Sequence, residues 1–344
     1  MTTRTESSRI AIIAAGAWGT ALGASLVRGG HKVILYSRRT EVVDEINTRH
    51  RNSRYLPGIS LPTSLSASGQ LEQVVEASDL IVLAVPSRSL RQVCNDLKAL
   101  PVRKRLDILS TVKGIDKESK CVPSEVIREV LGHLVNRLAV LSGPNFASEV
   151  ACGLPAGTVI ASDDEDFLKH LIDIISTTNI LAECSADVKG VQLAGCFKNA
   201  IAFLAGVAEG LGLGMNARAF VVEYGFRCMR KVFKRLGLPM TTTVGLAGLG
   251  DVVLTATSAQ SRNYRAGLMA ARSETLKVET LEGIDSVHGL RFLVRDAGCR
   301  CPLCLFDLVS KMIEGSLPPT SVMGHLFNGV NNVAAMTKTT LEAE

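Results

Sequence analysis

The sequence predicts an α/β protein in which a doubly wound parallel sheet is followed by an all-helical C-terminal domain. Three observations carry that expectation. Short aliphatic segments alternate with helical ones up to about residue 188. The first aliphatic segment runs into a glycine-bearing turn that opens a helix. Beyond residue 188 the segments are helical and rich in Ala and Gly, and no convincing strand is found among them.

Residues 1–9 read as a polar tail, and Ile10–Ala14 as a short buried strand. The chain breaks over Ala15–Gly19 and continues as an apolar helix, Thr20–Arg28, which Gly29 and Gly30 end as C-cap glycines. Lys32–Tyr36 is a second strand, so strand, turn, helix and strand form a βαβ unit within about 30 residues. A helix over Glu41–Arg49, a strand over Asp79–Val85 stopped by Pro86, and a helix over Ser89–Leu100 continue the alternation. Leu106–Val112 and Leu138–Leu141 are further strands. Strands this uniformly aliphatic are buried on both faces, which implies a parallel sheet covered by helices on each side. Right-handed crossovers then give the doubly wound arrangement. Gly190–Gly212, Ala217–Leu236 and Thr243–Leu254 are helices of the second part. The expected domains are 1–188, dinucleotide-binding, and 189–344, helical and carrying substrate and catalysis. No Pro/Gly/Ser-rich linker separates them, so close packing is expected, and no internal repeat is found.

Composition narrows the function classes. The 344 residues are 47% hydrophobic, 21% charged and 4% aromatic, with a net charge of +5. Such a chain is too apolar to be disordered. So few aromatics argue against a stacking-based nucleic-acid binder. The basic clusters Arg103–Arg105 and Lys231–Arg235 read as solvated faces rather than a nucleic-acid patch. A small anionic substrate fits the modest positive balance. The nine cysteines are an odd number, mostly in apolar surroundings, which predicts free thiols and a cytoplasmic protein. Met1–Arg9 is polar and Ile10–Ala15 too short for a signal peptide. No apolar run reaches the roughly 18 residues of a membrane span. Cys299, Cys301 and Cys304 have metal-like spacing but lack an evident fourth ligand, so no metal is expected.

The turn after the first strand carries a dinucleotide fingerprint with one change. In G-x-G-x-x-G the glycines make the tight turn, admit the pyrophosphate and let helix pack on strand. Here Ala14 takes the first position, while Gly16 and Gly19 keep the second and third. If residue 14 needs positive φ, alanine there costs about 1 kcal/mol. The helix N-terminus still offers N–H donors to an anion. A bare G-x-x-G also serves simple helix packing; the strand before it and the helix after it favour a nucleotide site in a Rossmann-like domain. After the second strand no acid awaits a ribose 2′-hydroxyl; Arg38 and Arg39 stand there instead. That favours a 2′-phosphate, hence NADP(H) over NAD(H), against two merely solvated loop arginines.

The second half holds a polar constellation in apolar surroundings. Lys198 and Asn199 interrupt a Gly/Ala-rich helix. The lysine either snorkels to a surface or points into a cleft, where desolvation lowers its pKa into a useful acid–base range. Asp251 follows a glycine-rich apolar stretch, and Ser261, Arg262 and Asn263 gather donors suited to a phosphate. Lys113 follows a strand's C-terminal end, where open α/β sheets bind ligands. Two lysines, an acid and an arginine around an anionic ligand is the combined reading.

These segments resemble NAD(P)-dependent glycerol-3-phosphate dehydrogenases of the bacterial type, over roughly residues 10–310. The resemblance rests on Gly16–Leu22, Glu45–Asn47 with Tyr55–Gly58, Asp79–Pro86, Val112–Ile115 and Leu141–Ala147. It is strongest at Phe197–Asn199, Gly210–Gly214, Gly245–Asp251 and Ser261–Asn263. It implies that Lys198 is the proton donor to the carbonyl of dihydroxyacetone phosphate, that Asp251 tunes it, and that Lys113 lies near both substrate and nicotinamide. It also implies substrate contacts at Gly143, Asn145, Asn199, Asp251, Thr255, Ser261, Arg262 and Asn263. Cofactor contacts are implied at Gly16, Ala17, Trp18, Gly19, Arg38, Lys113, Ala147, Arg262 and Glu282, and a homodimer serving lipid backbone synthesis is implied as well.

The chain departs from the family at Ala14, usually glycine, and at Asn145, usually serine or threonine. Thr255–Ser258 lacks a frequent cysteine, and Tyr264 follows the Ser-Arg-Asn triplet. Asn145 leaves open a related dehydrogenase acting on another phosphorylated or phosphonate ketone. Ala14 leaves open a non-catalytic nucleotide sensor, against which the joint retention of Lys113, Lys198, Asp251 and Arg262 argues.

Overall fold

The computed structural model describes residues 7–101, 104–272, 287, 289–294, 305–321 and 324–326. Its first strand, β1 (Arg9–Ile13), is buried at every residue after Arg9. Side chains alternate across a strand, so Ile10 and Ile12 face one hydrophobic cluster while Ala11 and Ile13 face another. That double burial places β1 in the sheet interior. Helix α1 (Ala17–Arg28) returns the chain to β2 (Lys32–Tyr36), which pairs with β1 in parallel.

There follow α2 (Thr40–Arg49), a small antiparallel pair β3 (Arg51–Asn52) and β4 (Leu56–Ser60), β5 (Ser66–Ser68) and α3 (Leu71–Glu76). The alternation resumes with β6 (Leu80–Leu83), α4 (Ser87–Lys98), β7 (Leu106–Ser110), α5 (Pro123–Leu131) and β8 (Val135–Ser142). Then come α6 (Ala147–Ala151), β9 (Ala156–Ser162), α7 (Glu165–Ser176) and β10 (Ile180–Ser185). The eight-stranded sheet runs β10-β9-β8-β7-β6-β1-β2-β5. Helices α1, α2 and α7 bury their apolar stripes on one face, and α3, α4 and α5 on the other. The doubly wound expectation holds, with one correction. β9 is antiparallel to β8, and β10 runs with β9, so the sheet is mostly rather than wholly parallel.

Several boundaries also move. Helix α1 starts at Ala17, not Thr20, because Gly16 is already its extended N-cap (φ −74°, ψ −178°). The strand expected over Leu138–Leu141 runs from Val135 to Ser142. The helix expected over Thr243–Leu254 is three pieces: α10 (Met240–Val244), a π-helical turn (Leu246–Gly250) and α11 (Asp251–Ala256). Gly245, extended at ψ −171°, makes the break.

Past Ser185, no strand occurs among the described residues. The long helix α8 (Val188–Gly210) is packed by α9 (Gly214–Arg235), α11, α12 (Arg262–Ala271) and the helix Leu305–Ile313. Glycine brings α12 unusually near: a Cβ on Gly267 would collide with the Phe203 carbonyl oxygen, and one on Gly206 with that of Tyr264. The scarce aromatics concentrate here. Phe197 meets Phe306 edge-on at 5.0 Å between centroids and Phe233 at 6.5 Å, which fixes the rotation of α8 beside Lys198. Val140 and Val159 of the sheet pack with Val191 of α8 and Ala247, joining the helical part to the strands. By length and composition α8 could cross a membrane, contrary to the expectation that no apolar run is long enough, but 94% of its most apolar window is buried within the protein.

Residue 14 does need positive φ: Ala14 sits at φ +98°. An L side chain there is strained by about 1–2 kcal/mol. Glycine would relieve the strain and lose part of the gain to unfolded-state entropy. The Ala14→Gly variant should therefore be more stable by about 0.5–1 kcal/mol in urea unfolding.

Candidate active site

The parallel strands β1, β2, β6, β7 and β8 all end on one edge of the sheet, where ligands bind in open α/β folds. The dinucleotide turn follows β1, Arg38 follows β2, Lys113 follows β7 and Gly143 follows β8. The helical part adds Lys198 from the middle of α8 and Asp251 from the first turn of α11.

These last residues meet. Lys113 Nζ donates to Asp251 Oδ2 at 2.6 Å, and Lys198 Nζ donates to Asp251 Oδ1 at 2.7 Å. Lys113 Nζ also donates to the Gly143 carbonyl at 3.2 Å. The Asp251 side chain is 0% exposed, that of Lys198 12% and that of Lys113 25%. A carboxylate this deep exists only with its partners; removing them leaves an uncompensated charge costing about 3–5 kcal/mol. With both lysines protonated the group carries a net positive charge, which suits an anionic ligand. Burial pulls Lys198 down to about 8 from its ordinary 10.5, Asp251 opposes the fall, and the Lys113 ammonium adds to it. Of the two sequence readings for Lys198, the cleft is the one realised.

Nearby, Asn263 Nδ2 donates to Asn199 Oδ1 at 2.8 Å, linking α12 to α8 one residue beyond the lysine. Ser261 caps α12, its hydroxyl accepting from the Tyr264 N–H, and Arg262 is exposed in the first turn. Thr255 Oγ1 donates to the Asp251 carbonyl at 2.6 Å and is held by its own helix. Asn145 turns its amide back, donating to the Gly157 carbonyl at 2.8 Å and that of Pro144 at 3.0 Å.

The dinucleotide turn is built as the fingerprint requires. A Cβ on Gly19 would strike the Ala14 carbonyl oxygen, so this glycine is demanded by helix–strand contact. At Gly16 a Cβ would meet nothing within 4 Å, and would stand in the open space before the α1 N-terminus. That open cradle fits a pyrophosphate. Ala17, Trp18 and Ala147 pack on one hydrophobic cluster beside it. Arg38 is exposed and makes no ion pair with the described residues, whereas Arg39 pairs with Glu41 at 3.4 Å. Glu282 and the Cys299–Cys304 run lie outside the described residues. Among the described residues no three metal-ligating side chains gather.

Sequence reasoning missed two features. Gly195, one turn before Lys198, makes room for the Ser142 hydroxyl beside the Lys113 stem: a Cβ there would lie 2.8 Å from Ser142 Oγ, and in ordinary contact at 3.5 Å with Lys113 Cδ. Its spacing of three from the lysine was the available signal. The Ser142 and Thr158 hydroxyls are buried without partners on either side of Gly143, and nothing in their strand sequences announced them.

Comparison with known proteins agrees with this architecture. The family models for the NAD-dependent glycerol-3-phosphate dehydrogenase N-terminus and C-terminus match residues 9–168 and 187–324. A glycerol-3-phosphate dehydrogenase [NAD(P)+] from Brucella canis is 36% identical over 323 residues, 94% of this chain and 98% of its own. One from Corynebacterium urealyticum is 36% identical over 92% of this chain and 97% of its own. The crystal structure of glycerol-3-phosphate dehydrogenase from Coxiella burnetii superposes with a TM-score of 0.85 at 34% identity, covering 93% of this chain and 99% of that one.

The depressed Lys198 pKa sets a stability prediction. Below pH 8 the lysine is protonated in both folded and unfolded chains and its burial penalty is whole. Between about 8 and 10.5 the unfolded chain binds the extra proton, so stability rises with pH through that window. Urea midpoints of native protein and Lys198→Met across it should converge on the native side: the native chain gains relative to the variant as pH rises.

Proposed function

From the premise that the chain belongs to the NAD-dependent glycerol-3-phosphate dehydrogenase family and is an NAD(P)-dependent oxidoreductase, we propose that it reduces dihydroxyacetone phosphate to sn-glycerol 3-phosphate. The reaction is reversible, and its cellular direction is toward the glycerol phosphate used for glycerophospholipid synthesis. The single observation that carries the reading is Asp251 held between Lys113 and Lys198 at 2.6 and 2.7 Å.

The bound nicotinamide supplies the hydride. The chain's own residues do the rest. Hydride addition at the ketone carbon turns the carbonyl oxygen into an alkoxide, and Lys198 Nζ transfers its proton to that oxygen. A lysine with a pKa of about 8 serves both directions: it gives the proton in reduction and takes it back in oxidation. Lys113, the second ammonium on Asp251, stabilises the developing negative charge in a site largely screened from water. Asp251 holds both nitrogens in place and keeps Lys198 from losing its proton too early. Arg262, with Ser261 and Asn263 at the start of α12, holds the phosphate, whose binding energy orients the distant carbonyl. Gly143, Asn145, Asn199 and Thr255 complete the substrate wall. Asn145 spends its amide on backbone carbonyls, so its replacement of the usual residue gives no reason to depart from the family's substrate.

On the cofactor side, Gly16, Ala17, Trp18 and Gly19 receive the pyrophosphate end, with Ala147 and Glu282 as further contacts. Arg38 reads a 2′-phosphate, which favours NADP(H). The division into a dinucleotide-binding part, 1–188, and a catalytic part, 189–344, belongs to the same reading; β10 ends at Ser185 and α8 begins at Val188. The exposed Leu213 and Met215, 42% and 73% accessible, support a homodimer formed through the helical part. Six described cysteines are free thiols, which supports a cytoplasmic protein.

Purified protein should oxidise NADPH on addition of dihydroxyacetone phosphate, followed by the loss of reduced-nicotinamide absorbance. Lys198→Met should lower kcat about 10³-fold while NADPH binding, read by fluorescence, persists. No turnover with this ketone, but turnover with another in a panel of phosphorylated and phosphonate ketones, would overturn the substrate assignment. Arg38→Ala should lower the NADPH-to-NADH ratio of kcat/KM about tenfold or more, the loss of one charge-assisted contact.

A further inference from the structure

The dinucleotide turn combines two unfavourable features that ordinary folding would remove. Ala14 holds φ +98°, where the fingerprint has glycine. Beside it the Asn52 amide is wholly buried and its Oδ1 has no partner. Buried polar atoms are almost always paired, and unpaired ones collect where a site is being held in shape. The two features lie on one structural unit. Asn52 Nδ2 donates to the Ala15 carbonyl at 2.9 Å and to Thr20 Oγ1 at 2.9 Å. The first partner lies just before Gly16, the second one residue past Gly19. A single side chain thus ties together both arms of the phosphate turn.

Asn52 reaches them from outside the βαβ unit. It is the second residue of the two-residue strand β3, and the antiparallel pairing Arg51↔Ser60 and Asn52↔Leu56 fixes it. The Tyr55 N–H donates to the Asn52 carbonyl at 3.2 Å, closing the hairpin on itself. On the other side Ala14 N–H donates to the Tyr36 carbonyl at 3.2 Å, and Thr20 N–H to that of Gly16 at 2.9 Å. The Ile13–Ala14 peptide is held by the sheet, its carbonyl accepting from the Ala84 N–H at 3.1 Å, and the Ala15–Gly16 peptide is held by Asn52, so the backbone is fixed on both sides of the Ala14–Ala15 peptide and residue 14 has little room to rotate back toward negative φ.

We propose that Asn52 is the positioning residue of the dinucleotide turn, its amide clamping the Ala15 carbonyl and Thr20 hydroxyl so that the turn keeps the pyrophosphate-binding shape although Ala14 occupies the glycine position. The proposal rests on the reading of residues 14–19 as the cofactor's phosphate site. Asn52 touches neither cofactor nor substrate; it acts through the Ala15 carbonyl and the first turn of α1.

The test is a double-mutant cycle on Asn52→Ala and Ala14→Gly, read as the Kd for NADPH by fluorescence titration, with KM and kcat measured alongside and folding checked by thermal melting. Asn52→Ala should raise Kd and KM for NADPH tenfold or more, with the loss in KM rather than in kcat. The cost of Asn52→Ala is read in each background, native and Ala14→Gly, against that background's own Kd. Combined with Ala14→Gly, Asn52→Ala should cost less than about threefold, because glycine adopts the turn unaided. Should Asn52→Ala fail to fold, Thr20→Val removes one clamped group without changing side-chain shape and should raise Kd about threefold, again suppressed by Ala14→Gly. An unchanged Kd in folded Asn52→Ala, or an equal loss in both backgrounds, would overturn the clamp while leaving the phosphate site intact. Native protein that binds no NADPH or NADH would overturn the reading of residues 14–19 and the clamp with it.

Discussion

A carboxylate with no solvent exposure must be paid for by its neighbours, and Asp251 is such a group. Its two oxygens each accept from one lysine, and those lysines come from parts of the chain far apart in sequence: Lys113 from the end of β7 and Lys198 from the middle of α8. The sheet and the helical part therefore have to meet in one register for the carboxylate to be tolerated at all. The apolar joint of Val140, Val159, Val191 and Ala247 brings them together. Gly195 lets α8 approach the Ser142 hydroxyl at the end of β8, and the Phe197 ring contacts lock the helix rotation that aims Lys198. The break at Gly245 and the π-helical turn after it place Asp251 at the start of α11.

The same ion group links stability to chemistry. Burial alone would strip the proton from Lys198, and a bare carboxylate alone would hold it too tightly. Desolvation against one shared carboxylate, with a second ammonium competing for it, leaves the pKa near 8. An acid–base group balanced in this way is suited to a reversible proton transfer. The site's strain is local: a positive-φ alanine in the phosphate turn and unpaired hydroxyls at Ser142 and Thr158 beside Gly143.

Much of this was legible in the sequence. β1 past Arg9 and β6 are uninterrupted aliphatic runs because both their faces are buried, β2 and β7 are aliphatic apart from one or two polar or aromatic positions, and α8 and α9 stand out by length. Lys198 was visible as a charge in an apolar helix, Asp251 as an acid behind a glycine run. Other elements left little trace. β4 reads Leu-Pro-Gly-Ile-Ser and is mostly exposed, so neither alternation nor an apolar run marks it. β10 lies at the sheet edge with Leu181, Glu183 and Cys184 exposed, and an edge strand needs no continuous apolar pattern. The reversal at β9 is a property of the connection, not of the strand's residues. Asn52 gave no signal because its partners, the Ala15 carbonyl and Thr20, are neighbours only after the hairpin folds back.

In the proposed reaction Asp251 holds on Lys198 the proton that the ketone oxygen receives, against burial and the Lys113 ammonium. The direct measurement is the pH dependence of kcat/KM for ketone reduction in the native protein and in Asp251→Asn. Native activity should fall as pH rises through about 8, where Lys198 loses its proton. Without the carboxylate, burial and the Lys113 ammonium act unopposed, so the falling limb should move at least about one pH unit lower. A limb that stays near 8 in the folded variant, or moves upward, would mean that Asp251 does not hold the Lys198 proton.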